Sequence, residues 1–218
     1  SHSHESKAAN YAGLREYIKT FGQDKIILME HNTDIFGQSM DISHSANTQP
    51  PVRLRSPETA QHATDVRDDL FMPELYRYTF PELVATNREC GEDEESYKAM
   101  AGFSFLYGLR FDMTIYRCCG SLRDIPRYAA YLKEISALYE QYGDFLLRGR
   151  FVDGDGFTSD SENVLVKGWE GCNGGLAVSL WNPTGEDQVV NLRSCKTGRA
   201  VTIIVPAERV AAAVIDEA

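Results

Sequence analysis

The chain has 218 residues, a formal net charge of -10 and a sequence pI of about 5.0, with 43% hydrophobic and 25% charged residues. That composition suits a globular protein with a sizeable core, and the acidic balance without any Lys/Arg block excludes nucleic acid and anionic membrane surfaces as partners. No apolar run approaches the roughly 20 residues of a membrane span, and the opening S-H-S-H-E-S-K lacks a signal peptide's apolar core, so the chain as it stands reads as soluble and cytoplasmic rather than secreted.

In chain order, Ala8, Tyr11, Leu14, Tyr17, Ile18 and Phe21 recur at three- and four-residue spacing before Gly22, which predicts an amphipathic helix over 8–21. His2 and His4 precede it in a terminus expected to be mobile. The unbroken apolar run Ile26 to Met29 then predicts a strand buried on both faces of a parallel sheet. Glu30, His31, Asn32, Thr33 and Asp34 follow at once, so a dry strand hands over to a polar tip, as barrel strands do at an active-site face.

From Gly37 to Thr64 the chain is polar and broken by Pro50, Pro51 and Pro57. A loop of that length predicts a lid or binding loop, with His44, Arg53 and Arg55 able to face a ligand. Leu70 to Tyr78 predicts a second, short buried strand beside Pro73, with Glu74, Arg77 and Tyr78 near its end. The acidic run Gly91 to Glu95 suits the positive end of a helix dipole. A helix is predicted through Tyr107, then a strand over 109–114 carrying Arg110 and Asp112, which could pair with each other as a structural ion pair. The clearest helix holds Ile125, Tyr128, Ala129, Leu132, Ile135, Leu138, Tyr139 and Tyr142 on one face, with Pro126 in its first turn and Gly143 as its cap.

After Arg150 short β-rich runs are separated by G-C-N-G-G, N-P-T-G-E-D and K-T-G-R, the pattern of an antiparallel sandwich. D-G-D-G at 153–156 departs from a calcium loop, because Phe157 and Thr158 stand where that pattern needs Asp or Asn and then Gly. The five cysteines and five histidines show no metal spacing. Neither a metal nor a cofactor is expected.

The order predicts an α/β protein: the last strands and helices of a partial (β/α)8 barrel over 1–150, then a small C-terminal antiparallel β-sandwich over 151–218. A compact open α/β sheet is the alternative. A few barrel staves cannot close, so either a missing barrel portion or a homo-oligomer is expected to cover the open sheet edges.

The runs E-H-N-T-D-I-F-G, L-F-M-P-E-L-Y-R-Y-T-F-P-E-L-V-A-T-N-R-E and F-L-Y-G-L-R-F-D-M together resemble the later barrel strands of glycoside-hydrolase-like proteins, near the α-galactosidase clan and a related bacterial barrel group. The resemblance implies hydrolysis of a glycosidic bond by paired carboxylates, which retaining enzymes hold about 5 to 5.5 Å apart. Glu30, the first polar residue after the buried run, is then the first candidate catalytic acid and Asp34 the second. His31, Glu74, Arg77, Tyr78, Arg110 and Asp112 are candidate binders of a neutral oligosaccharide or glycoside. In that clan the nucleophile sits on an earlier strand, so this chain alone is expected to be inactive. The competing reading is a non-catalytic carbohydrate-binding or structural module.

Overall fold

The computed structural model describes residues 2–29, 37–44, 73–91, 94–115 and 119–217. Helix α1 (His2–Lys19) leads to strands β1 (Leu28–Met29) and β2 (Ile42–Ser43), helix α2 (Pro73–Thr79), strand β3 (Val84–Gly91), helix α3 (Glu94–Leu106), strand β4 (Arg110–Ile115) and helix α4 (Pro126–Leu146). The four strands form one sheet in the order β1-β2-β3-β4, and every neighbouring pair is parallel. Parallel neighbours need helical crossovers, and α3 between β3 and β4 supplies one.

Helix α3 ends on Gly108, whose φ of 62° only glycine adopts without strain. The Gly108 N–H donates to the Phe105 carbonyl and the Leu109 N–H to the Ser104 carbonyl, a Schellman ending that drops the fully buried Leu109 directly into β4. A Cβ at Gly108 would sit 2.6 Å from the Leu146 carbonyl oxygen and 2.6 Å from the Trp169 ring.

The remaining strands are β5 (Arg150–Asp153), β6 (Phe157–Ser159), β7 (Leu165–Glu170), β8 (Leu176–Trp181), β9 (Gln188–Ser194), β10 (Ala200–Val205) and β11 (Val210–Asp216). They pair antiparallel in two sheets, β10-β9-β6 and β11-β8-β7-β5. Phe157, Val178, Leu180, Val190, Leu192, Val205 and Ile215 fill the space between the sheets. A larger cluster joins the two halves of the molecule: Phe105, Leu106, Tyr128, Tyr131 and Ile135 from α3 and α4 pack with Phe151, Trp169, Trp181 and Val210. The Trp169 indole N–H donates to Ser179 Oγ at 2.9 Å, and that hydroxyl donates to the Leu106 carbonyl at 2.8 Å, so the indole and the serine in this seam are both engaged.

A mixed α/β architecture with a parallel sheet and an antiparallel sandwich stands as read from the sequence. Several details differ. The Ile26 to Met29 run is not buried on both faces: Ile27 and Met29 are buried while Ile26 and Leu28 are 64% and 50% exposed. Where a strand was expected over 70–78, the described residues 73–79 form α2, because proline is at home in the first turn of a helix and the residues after it tolerate helix well. The strand is β3, whose V-A-T-N-R-E-C-G has no apolar periodicity to announce it. Helix α1 begins at His2, so the backbone of His2 and His4 is helical. Helix α4 runs past Gly143, which is buried within it.

Candidate functional site

Side-chain alternation splits the parallel sheet into two faces. Ile27, Met29, Ala85, Phe111 and Ile115 belong to the clusters under the helices. By alternation and register, Leu28, Ile42 and Val84 share one row of the opposite, inner face, with His44, Thr86 and Arg110 in the next row toward the C-terminal strand ends and Asp112 one row beyond.

These last two rows hold a polar cluster. His44 directly follows β2, anchored by its N–H donating to the Met29 carbonyl at 2.8 Å. Its Nδ1 lies 2.7 Å from Asp112 Oδ2 and 3.3 Å from Thr86 Oγ1. Both side chains of the pair keep some exposure, 13% for His44 and 29% for Asp112. An imidazole held against a carboxylate can grip a hydroxyl or pass a proton, and it stands at the end of the sheet where barrel enzymes do their chemistry. The expected ion pair between Asp112 and Arg110 does not form; the imidazole from the next strand but one reaches the carboxylate instead.

The other candidates fall elsewhere. Glu74 lies at the seam with the sandwich, where Lys167 Nζ meets it at 2.7 Å and Asp153 at 2.6 Å, and the Tyr107 hydroxyl also donates to Glu74. Burial pushes the Glu74 carboxyl up, but the Lys167 and Tyr107 hydrogen bonds outweigh it and hold the group below the ordinary range. Burial alone would lower Lys167, yet its two carboxylate partners raise it. Tyr107 is raised by burial and by the charge of Glu74. Arg77 is buried, lies 5.4 Å from the Trp169 ring centroid and donates to the Leu83 carbonyl at 3.4 Å. Tyr78 is 44% exposed, its ring edge-on to Phe151 at 5.4 Å. Glu74, Arg77 and Tyr78 thus gather at the sandwich seam, whereas Arg110 and Asp112 share the inner face.

Glu30, His31 and Asp34 lie outside the described residues, as do Arg53 and Arg55. In the chain, Glu30 directly follows the last residue of β1.

A cavity of about 640 Å³ opens at the other end of the sheet, lined among others by Arg15, Met40, Asp41, Phe80 and Leu83. Asp41 knits this end together, accepting from the Ile27 N–H at 2.9 Å and from Lys19 at 3.1 Å, with Arg15 at 2.8 Å. Burial raises its carboxyl, and these partners together bring it below the usual value.

Thr86 escaped notice in the sequence, whereas His44 was singled out as able to face a ligand, though from a long loop and not from a strand end. The signal that could have found Thr86 is positional: a polar residue two places into a strand whose alternate residues are buried points away from the core.

The architecture is a parallel sheet backed by helices and followed by an antiparallel sandwich. No protein-family model and no curated protein matches the chain. Among solved structures it is similar to a maltogenic alpha-amylase, AmyB, from Thermotoga neapolitana, with a TM-score of 0.54 and 12% identity, over 96% of this chain and 56% of the amylase chain. The chain therefore spans little more than half the length of the structure it matches. Among the described residues no helix is long and apolar enough to cross a membrane.

Proposed function

We propose that this chain is the C-terminal part of a carbohydrate-active glycoside hydrolase of the α-galactosidase-like barrel kind, acting on a neutral oligosaccharide or glycoside. Glu30, the residue that follows β1 in the chain, is the proton donor, with Asp34 four residues further along as the second candidate. The nucleophile comes from an earlier barrel strand. The observation that carries the reading is the His44–Asp112 pair with Thr86, a polar cluster on the inner face at the C-terminal ends of parallel strands. It lies on the strands next to the one that Glu30 follows, in a fold like that of a known amylase. Asp112, oriented by His44, holds a sugar hydroxyl while the donor acts.

The test is Glu30→Gln in the complete protein with an aryl glycoside as substrate. Turnover is expected to fall about 100-fold or more, the usual size of a lost general acid, with the fold unchanged by circular dichroism. Turnover equal to wild type removes Glu30 from the mechanism. Saturable sugar binding with no turnover in the wild type favours a non-catalytic binding module instead.

A further inference from the structure

The parallel sheet leaves one edge open between two apolar patches. Among the described residues β1 has a single strand neighbour, β2. On the helix side of that edge, α1 packs Tyr11 and Ile18 against the Ile27, Met29 and Met40 cluster. Among the polar residues of its other side, Leu14 and Tyr17 of α1 and Phe21 just after it are 45%, 60% and 64% exposed, and the rings of Tyr17 and Phe21 meet edge-on at 5.1 Å. On the inner side of the same edge stand Ile26 and Leu28, also exposed. Unpaired backbone with apolar side chains on both sides is a template for another chain segment.

We propose that this edge is the docking surface for a further β/α unit. Its strand adds parallel to β1, with apolar inward side chains over Ile26 and Leu28, and its helix packs against Leu14, Tyr17 and Phe21. One occupant then covers all three features. A lone helix would leave the β1 backbone unpaired, and a bare strand would leave the α1 flank in water. The amylase chain is longer than the shared fold, which accounts for 96% of this chain but 56% of that one, leaving length for such a unit.

The far edge of the sheet fixes the charge of what closes it. Arg110 starts β4 on the inner face, and among the described residues no hydrogen-bond or ion-pair partner meets it. The buried Arg77 is near enough for the Arg110 charge to act on it. A guanidinium enclosed in a barrel needs a carboxylate, so the strand that closes on β4 carries an inward Asp or Glu. This inference rests on the fold and not on the hydrolase chemistry.

The test co-expresses this chain with the polypeptide encoded immediately upstream of it, as a separate piece, and follows assembly by size-exclusion chromatography with light scattering and by titration. An equimolar complex is expected. Tyr17→Glu and Leu28→Glu, at positions whose exposure keeps the fold intact by thermal melting, are each expected to weaken it about tenfold or more, and Arg110→Glu likewise, with Arg110→Lys largely restoring it. Val189→Glu, on the outer face of the sandwich, is expected to change nothing. The absence of an upstream coding segment, no complex, a complex indifferent to these substitutions, or a homodimer that they dissociate would each overturn the inference. Assembly is read without turnover, so an assembled but inactive complex counts against the hydrolase reading and leaves the docking surface standing.

Discussion

The two halves of the molecule treat their apolar surface differently. In the sandwich each sheet turns its apolar face onto the other: Val178, Leu180, Val190 and Val205 are fully buried. Its two large exposed aliphatics, Val189 and Ile204, sit opposite each other on neighbouring antiparallel strands and shield one another. The parallel sheet buries its outer face under helices in the same way, yet its inner face shows Ile26 and Leu28 to solvent. The half whose apolar faces cover each other is the sandwich, and the half with a polar cluster at its strand ends is the one that leaves apolar side chains exposed. The barrel proposed above would account for the link, because inner side chains find their partners only across a closed ring.

The sharpest way to break that contrast is at the seam. Trp169 is fully buried, packs on Phe151 at 5.1 Å and bonds through Ser179 to the end of α3, so it belongs to both halves. Trp169→Ala is expected to cost about 3–5 kcal/mol and to lower the unfolding of both halves together. Urea denaturation followed by far-UV circular dichroism and by Trp181 fluorescence checks this. Two separated transitions in the wild type, with one of them unmoved by the substitution, would show that the halves are energetically independent.

The seam also shows what could be read from the sequence and what could not. The sandwich was legible because turn residues punctuate short β-branched runs such as A-V-T-I-I-V, and α4 because its apolar residues keep helical spacing over five turns. Strand β3 was not, since a strand with buried Ala85 on one face and polar Thr86 on the other shows neither a continuous apolar run nor a strong alternation. Helix α2 was missed because its aromatic residues suit a strand as well as a helix, and Pro73 fits both a strand edge and a helix start. At the candidate site, Asp112 was legible as a charged residue in an apolar stretch. Its pairing with His44 was not, because the two meet only through the parallel pairing of β2, β3 and β4, a register that local sequence does not encode.

A smaller effect is expected at the polar part of the seam. Glu74→Gln removes the charge that Lys167 meets, at a carboxylate whose side chain is still 31% exposed. The expected cost is about 1 kcal/mol, solvent screening having discounted the pair. Since the folded-state carboxyl lies below its ordinary value, its contribution is present above about pH 4.3 and fades as pH falls through the folded value. Lys167 is shifted the opposite way, so its contribution is present below about pH 10.4 and fades as pH rises further. Thermal melts of wild type and Glu74→Gln across this range should therefore converge in acid. A constant gap down to acid pH would detach Glu74 from the stability of the seam.

The smallest effect separates the halves most cleanly. Ile26 and Ile204 are the same residue type at the same exposure, 64%, one on the inner side of the open sheet and one on the outer face of the sandwich. In this chain alone, Ile26→Thr and Ile204→Thr are both expected to shift stability by less than about 0.5 kcal/mol, because neither side chain loses much packing. In the longer assembly proposed above, Ile26 becomes buried while Ile204 stays where it is. There Ile26→Thr is expected to cost about 1–3 kcal/mol, the transfer of an aliphatic side chain back to water plus an unpaired hydroxyl, and Ile204→Thr still nothing. Denaturation of both variants, in the chain and in the assembly, measures this difference directly. Equal costs for the two substitutions in the assembly would place Ile26 on a surface that is never covered, and the inner face would then be an ordinary solvated sheet rather than the inside of a barrel.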